Sequence, residues 1–322
     1  MLRGLVIGKF MPIHNGHIAL VNFAASKCDE LIVSMSYTDT DPISGKLRFE
    51  WIIEIFKGNP SIKPAIVKDD FDDDSLPLKE RTKLWSSFLM RRYPAVDVII
   101  SSEEYGPPLA EYLGASHITF DMDRTTVPIS ATMIRKHPLI NWEFIPAVVR
   151  PYYVSKICIY GAESTGKSTI VEFLAEKYQT EFVPEVAREF ITSNDFTVED
   201  IIRIGIAHNQ RITDKAKVAN RLLFCDTDVI TTQIYCRHYL GTIPQILYEL
   251  ERQTTYSKYF LMDIDVAWVA DGLRDLSDSR QIMMNIFKEE LDKRGIVYQI
   301  IRGPYRERER QICEVIDQMI ME

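Results

Sequence analysis

Gly161-Ala162-Glu163-Ser164-Thr165-Gly166-Lys167-Ser168 fills every fixed position of the phosphate-binding pattern G-x-x-x-x-G-K-[ST]. The apolar run Ile157-Cys158-Ile159-Tyr160 leads into it as a buried strand does, and the amphipathic segment from Thr169 to Tyr178 leaves it as a helix. Strand, glycine-rich turn and helix are the context that the pattern requires, and a chance glycine-rich turn rarely supplies all three. The glycines let the backbone fold its N–H groups around the α- and β-phosphates of a nucleotide, at the positive end of the new helix. Lys167 reaches the β/γ-phosphates and Ser168 offers its hydroxyl to Mg²⁺, with Gly161, Glu163, Ser164, Thr165, Gly166 and Thr169 making up the ATP-binding turn. Such a loop follows the first strand of its domain. A domain is therefore expected over residues 152–322, and residues 1–145 call for one of their own.

The length of 322 residues suits two domains, and 46% hydrophobic with 26% charged residues suits chains that bury cores. No apolar run approaches the ~18–20 residues needed to cross a bilayer, and the start lacks a basic region followed by a signal-type apolar stretch. No membrane partner is expected. The 5 cysteines are scattered, odd in number and without C-x-x-C spacing, which points to a reducing, cytoplasmic setting. A net charge of −8 argues against a nucleic-acid partner, since binding a phosphate backbone needs a basic face. A homo-oligomer stays open.

The first half begins with the strand Leu2–Ile7 and then Gly8-Lys9-Phe10-Met11-Pro12-Ile13-His14-Asn15-Gly16-His17, followed by a helical pattern from Ile18 to Ser26. The H-x-G-H core sets two imidazoles at a helix N-terminus, where free N–H groups and the helix dipole already favour an anion. Two such rings suit phosphate oxygens that gain charge during attack on an α-phosphate. Alone, H-x-G-H reads as well as two surface histidines. Near the end of this half stands Ile129-Ser130-Ala131-Thr132-Met133-Ile134-Arg135, in which Ser130 or Thr132 would cap a helix and Arg135 would face triphosphate oxygens. Together the two motifs resemble the nucleotidylyltransferase superfamily, which implies a Rossmann-like fold and transfer of AMP or CMP with loss of pyrophosphate. Ala131 departs from the commoner I-S-S-T form and removes one hydroxyl. Between the motifs, strands at 31–35, 62–67, 96–100 and 117–120 alternate with helices at 47–56 and 78–93, as an α/β domain requires. The Asp69–Asp74 run lacks the spaced ligands of a calcium loop and reads as a solvated acidic loop.

In the second half, the strand Thr180–Val183 ends in Pro184-Glu185-Val186-Ala187-Arg188-Glu189-Phe190. Thr197 with Asp200 opens a long helix towards Asn220. The strand Leu222–Cys225 ends in Asp226-Thr227-Asp228, and an acidic residue at that tip binds Mg²⁺ or activates a substrate hydroxyl. A helix from Val229 to Leu240 closes at Gly241. After the strand Tyr259–Met262 comes Asp271-Gly272-Leu273-Arg274, with Arg280 beyond it. Two arginines in a polar loop suit a lid that neutralises a transferring phosphoryl group, or simply a solvated loop. A last strand, Val297–Ile301, and a charged helix from Arg306 to Met321 complete the chain.

With both halves read, the chain resembles the NadR-type bifunctional enzymes, which join a nicotinamide-mononucleotide adenylyltransferase to a ribosylnicotinamide kinase in this order. The resemblance rests on G-K-F-x-P-x-H-x-G-H, the Ser101–Gly106 loop, I-S-A-T-M-I-R, G-A-E-S-T-G-K-S, P-E-V-A-R-E and D-G-L-R. Some members carry an N-terminal helix-turn-helix and repress transcription; with a strand starting at residue 2, that regulatory domain is expected to be absent. The resemblance implies that Gly8, Lys9, Phe10, His14, His17, Ser130, Thr132 and Arg135 hold ATP in the first domain. It implies Lys46, Arg48, Trp85 and Tyr105 as contacts to the mononucleotide or triphosphate, Trp85 stacking on the nicotinamide ring unless it is a core tryptophan. In the kinase domain Glu185 or Asp226 would take the proton from the ribose 5′-hydroxyl, with Arg188 and Asp228 near the substrate and Ser168 and Asp226 at Mg²⁺. The small-molecule partners implied are ATP, nicotinamide riboside, nicotinamide mononucleotide and NAD, and the two reactions are nucleotidyl transfer and kinase transfer without a covalent enzyme intermediate. One rival is a coenzyme A pathway adenylyltransferase–kinase fusion, which has the same two fold types. Another is a nucleotide-sensing regulator with one silent domain.

Overall fold

Short apolar runs alternate with amphipathic segments through both halves of the chain, and the computed structural model, which describes residues 1–70, 72, 75–191, 195–269 and 279–321, folds each half around its own parallel sheet. The chain divides into two units, Met1–Arg150 and Pro151–Glu322.

In the first unit, β1 (Arg3–Gly8), β2 (Glu30–Tyr37), β3 (Ile62–Lys68), β4 (Val98–Ser101) and β5 (Ser116–Thr119) form a sheet of order β3-β2-β1-β4-β5. Every pairing is parallel. The helices are α1 (Asn15–Ala25), α2 (Gly45–Phe56), α3 (Leu78–Arg92), α4 (Gly106–Leu113) and α5 (Ala131–Lys136), and the short α6 (Arg150–Tyr153) spans the boundary between the units. Leu5, Val6, Ile99 and Ile100 at the sheet centre are 0–2% exposed, as strands covered on both faces require. The chain leaves β1 towards β2 on one side and reaches β4 on the other. The order therefore reverses beside the end of β1, and that crevice is where open parallel sheets bind ligands.

Two local readings change. α1 begins at Asn15, ahead of Ile18, because the His14 side chain caps it by accepting the His17 N–H at 3.3 Å. α4 occupies a stretch for which the sequence reading named no helix. Its Pro107 and Pro108 sit in the first turn, where a missing N–H costs nothing, and Gly114 ends it with φ of 66°.

In the second unit, β6 (Ser155–Tyr160), β7 (Glu181–Val183), β8 (Leu222–Asp226), β9 (Lys258–Met262) and β10 (Tyr298–Ile301) form a parallel sheet of order β10-β9-β6-β8-β7. Its helices are α7 (Lys167–Lys177), α8 (Ala187–Phe190), α9 (Val198–Ala216), α10 (Val229–Leu240), α11 (Gln245–Gln253), α12 (Arg280–Lys293) and α13 (Tyr305–Met321). α9 starts on the capping box expected from Thr197 and Asp200 but stops at Ala216, short of Asn220. α10 closes at Gly241 in the left-handed region. β6 lies between β8 and β9, so the loop leaving it emerges beside the tips of both neighbours.

Gly106 shows how tightly α4 is docked. A Cβ there would stand 2.1 Å from Ser101 Oγ and 2.2 Å from His117 Nε2, atoms that bond each other at 3.0 Å. We expect Gly106→Ala to destabilise the first unit by about 1–3 kcal/mol, the range for overpacking a filled site. A urea-unfolding midpoint equal to wild type would show that the helix shifts freely.

Candidate active sites

In the first unit a cavity of about 440 Å³ opens at the reversal point beside β1. Gly8, Lys9, Phe10, His14, His17, Trp85, Tyr105, Ser130, Thr132 and Arg135 all line it. The two imidazoles stack, with centroids 3.7 Å apart, and Phe10 packs edge-on against His17 at 4.9 Å. Since His14 Nδ1 accepts the His17 amide, the proton of the neutral His14 ring resides on Nε2. Burial, with Arg124 adding repulsion, pushes His14 down to about 4. Burial, the neighbouring His14 and Arg124 push His17 well below its ordinary value. Two uncharged hydrogen-bonding rings therefore face the cavity at neutral pH. His17 Nδ1 is buried and has no partner among the described residues.

Ser130, rather than Thr132, caps α5 by accepting the Met133 N–H at 3.2 Å. Arg135 reaches back to the Met11 carbonyl and to Thr132 Oγ1 at 3.2 Å, tying α5 to the turn after β1. At the other end of the cavity Trp85 meets Tyr105 edge-on at 5.8 Å, and the Arg81 guanidinium lies 5.1 Å from the indole centroid. Tyr105 donates to the Ile7 carbonyl at 2.8 Å. Asp69 and Asp72 also line the cavity, and Asp72 pairs with Arg81 at 2.9 Å, so part of the supposed solvated loop is cavity wall. Residues 71, 73 and 74 of that run lie outside the described residues. Sequence reasoning missed Asp69, Asp72, Arg81 and Arg124. Arg124 follows β5 closely, and position after a parallel strand was its one available signal.

Two expected contacts are corrected. Lys46 points away from the cavity, with its side chain 87% exposed beside Glu50. Arg48 is 0% exposed and is spent within the unit. It donates to the carbonyls of Ile43 (3.0 Å), Ser36 (3.3 Å) and Lys9, and pairs with the Asp41 carboxylate. Through the Lys9 carbonyl, Arg48 braces the turn that follows β1.

In the second unit the turn after β6 takes positive φ at Gly161 (138°), Ser164 (57°) and Gly166 (83°). Lys167, the first residue of α7, donates to the Ala162 carbonyl at 2.9 Å, and Thr165 Oγ1 reaches the same atom at 2.8 Å. Ser168 and Thr169 lie exposed in the first turn. Ser168 Oγ donates to Asp226 Oδ2 at 2.5 Å, while Asp226 Oδ1 is buried without a partner among the described residues. Burial pushes Asp226 up to about 6 against the pull of Lys167. The Ser168 hydroxyl and the Asp226 carboxylate, one of whose oxygens is orphaned, form a hard-oxygen donor set that suits Mg²⁺ completed by nucleotide phosphates. The residues fit the ion.

Beside this turn lies a smaller cavity of about 100 Å³, lined by Glu163, Glu185 and Arg188 and walled by Phe196, Tyr235 and Tyr239. Glu185 bonds Arg188 at 2.6 Å. Asp226 does not line this cavity and Glu185 does. Asp228 is a correction. It is buried, caps α10 by accepting the Thr231 N–H at 2.9 Å, and accepts the Tyr259 hydroxyl at 2.9 Å, so its carboxylate is taken up inside the unit. Arg280 stands at the start of α12 and donates to the carbonyls of Val266 (2.9 Å) and Ser164 (3.4 Å), which brings it to the phosphate turn. Arg274 lies outside the described residues. The sequence reading missed Arg308, fully buried on α13, which donates to the carbonyls of Thr165 (2.8 Å), Gly303 (2.7 Å) and Asp263 (3.0 Å) and pairs with Asp265.

A Rossmann-like unit with paired histidines, followed by a phosphate-loop unit with a Ser168–Asp226 pair, defines a nucleotidyltransferase–kinase class of protein. Family models agree on both halves: cytidylyltransferase-like over residues 5–137 and AAA domain over residues 156–308. The chain is 31% identical to the trifunctional NAD biosynthesis/regulator protein NadR of Salmonella typhimurium, over 99% of this chain and 83% of that protein. The corresponding Escherichia coli protein matches at 31% with the same coverage. The chain belongs to the NadR family. Its first half alone is 30% identical to the nicotinamide-nucleotide adenylyltransferase of Thermococcus onnurineus, over 42% of this chain and 71% of that one. A solved NadR structure in complex with NR shares the fold with a TM-score of 0.81 at 20% identity, covering 99% of this chain and 96% of that chain.

Two expectations follow. Arg48→Lys keeps the charge but loses the fork that serves four acceptors, and should destabilise the first unit by on the order of 3 kcal/mol in urea. Unchanged stability would mean that the buried guanidinium contributes nothing to the turn. The second concerns pH. His14 titrates near the ordinary imidazole value of 6.5 when unfolded and near 4 when folded, so between those values the unfolded chain binds the extra proton. Stability should therefore fall as pH drops below about 6.5, by up to about 3 kcal/mol from this group near pH 4. His14→Asn, which keeps a capping side chain, should lose that part of the slope. An identical slope in the variant would exclude His14 as its source.

Proposed function

We propose that this chain makes NAD in two ATP-dependent steps, phosphorylating nicotinamide riboside in its second unit and adenylylating the resulting mononucleotide in its first. In the first step the riboside 5′-hydroxyl oxygen attacks the γ-phosphorus of ATP, a new P–O bond replaces the one to ADP, and the hydroxyl proton goes to a carboxylate. In the second, a phosphate oxygen of the mononucleotide attacks the α-phosphorus of a second ATP, and pyrophosphate leaves. The observation that carries this reading is the pairing of the two sites on one chain whose family relatives are named for NAD biosynthesis.

In the adenylyltransferase the uncharged His14 and His17 would donate to α- and β-phosphate oxygens as charge builds up, with Arg135 and Lys9 holding the triphosphate. Trp85, which lines the cavity with Arg81 against its ring, would lie against the nicotinamide ring. In the kinase, Lys167 would leave Ala162 for the β/γ-phosphates and Arg280 would neutralise the transferring group. Ser168 and Asp226 would hold Mg²⁺, which neutralises phosphate charge when bound. That leaves Glu185 as the base: it lines the cavity beside the phosphate turn, whereas Asp226 is committed to Ser168. The aromatic walls and the two carboxylates of that cavity suit a flat pyridinium cation.

The two activities should separate by mutation. With nicotinamide riboside, ATP and Mg²⁺ supplied, Lys167→Ala should lower mononucleotide formation by orders of magnitude while NAD is still made from added mononucleotide. His17→Ala should do the reverse, lowering NAD formation by about 10²–10³ in kcat and letting the mononucleotide accumulate. Chromatography of one reaction mixture reads both. Loss of both activities in either variant, or of neither, would overturn the two-site reading.

A further inference from the structure

Among the polar groups that line the cavity beside the phosphate turn is a histidine to which neither the phosphate-transfer reading nor a bond among the described residues gives a use at Nε2. His208 lies on the buried side of α9, is 3% exposed, and lines this cavity together with Phe196, Ile201, Ile204 and Tyr235. Its Nε2 is buried and finds no partner among the described residues. Leaving such a nitrogen unpaired costs about 1–3 kcal/mol, and a leucine would fill the same helix face without that cost. Its neighbour Asn209 faces another cavity and is anchored to the Leu250 carbonyl at 2.8 Å, so the two residues have different surroundings.

We propose that His208 is the specificity-determining residue that reads the carboxamide of the pyridinium base through Nε2. The assignment rests on the nicotinamide riboside kinase reading above and deepens it. The substrate class is an N-ribosyl pyridinium cation with a neutral amide on the ring. Phe196 and Tyr235 offer aromatic surface to the ring, and the carboxylates of Glu163 and Glu185 suit its positive charge. The amide brings both an N–H donor and a carbonyl acceptor into an apolar wall, where an uncharged partner is needed. An imidazole supplies either role at Nε2 according to its tautomer. Burial, with Arg211 adding repulsion, holds His208 down to about 4, so the ring stays uncharged beside a cationic substrate. Arg188, a cation that lines the cavity, is already paired with Glu185.

The test combines a change in the residue with a change in the substrate. Kinase kinetics are measured on nicotinamide riboside and on N-ribosylpyridinium, which lacks only the carboxamide, for wild type, His208→Leu and His208→Gln. We expect His208→Leu to raise KM for nicotinamide riboside about tenfold or more and to leave N-ribosylpyridinium within about twofold of wild type. His208→Gln, which carries hydrogen-bonding atoms near the Nε2 position, should recover much of the loss, and it also serves if the leucine variant fails to fold. Equal losses on both substrates would make His208 a structural support and overturn the assignment, as would no loss on either. If wild type turns over N-ribosylpyridinium as well as it does nicotinamide riboside, the carboxamide is not read and the assignment falls while the kinase stands. If wild type phosphorylates neither, the kinase reading falls and takes this assignment with it.

Discussion

A loop that turns its N–H groups towards a phosphate must turn carbonyls away from it, and those carbonyls need donors of their own. Both units solve this with a fully buried arginine. Arg48 takes the Lys9 carbonyl in the first unit, and Arg308 takes the Thr165 carbonyl in the second. Each guanidinium spends its remaining donors on neighbouring carbonyls and on one aspartate, Asp41 or Asp265. A guanidinium suits the task because its fork is planar and always charged, so several fixed acceptors are served by one rigid group. Burying a charge is tolerable when it is paired and hydrogen-bonded, and each of these guanidinium groups has an aspartate partner and three carbonyl acceptors.

The brace matters for catalysis through geometry. Donors that are already aimed need no reorganisation when charge develops on the transferring phosphorus. In the second unit the brace extends further, since Arg308 also holds Asp263 and Asp265 just beyond β9 and Gly303 beyond β10. The phosphate turn, the start of the β9–α12 connection and the β10–α13 turn are thus fastened to one side chain. Tyr305 lies over the same turn, close enough that a Cβ on Gly166 would come within 2.7 Å of its hydroxyl. The glycine there serves two ends, a backbone with φ of 83° and room for a ring.

Much of this was legible in the sequence, because motif and period carry backbone information. The phosphate loop and the strands fall within a residue or two of where spacing puts them, the cap of α5 is one of the two residues the motif offered, and both parallel sheets follow from the alternation of strands with helices. What spacing does not carry is direction. Asp226 and Asp228 are two residues apart at the end of one strand, yet one meets Ser168 and the other caps α10 and meets Tyr259. Arg48 and Lys46 share one turn of α2, and polarity alone cannot separate a buried brace from an exposed charge. Arg308 reads as one more charge on an amphipathic helix, because its partners lie far away in sequence. α4 escaped notice for the opposite reason: two prolines look like a break until they are placed in a first turn.

On the proposed reading the two sites would meet the same polyanion with different electrostatics. Lys167 is a fixed cation at the positive end of α7, suited to holding a triphosphate whose terminal group departs with the acceptor. In the first unit the stacked rings of His14 and His17 are kept uncharged by burial and by the nearby Arg124, with His14 adding to the push on His17. An uncharged donor gains little from a ground-state phosphate compared with a cation. It gains most when negative charge moves towards it, and the same charge raises the ring's own basicity. Stabilisation then grows along the reaction coordinate rather than being spent on binding, which is the condition for raising kcat. It also leaves pyrophosphate, the more highly charged product, less tightly held once the bond has broken. On the proposed reading, burial of two histidines at a helix N-terminus, costly to the fold at low pH, would favour the transition state over both bound ends.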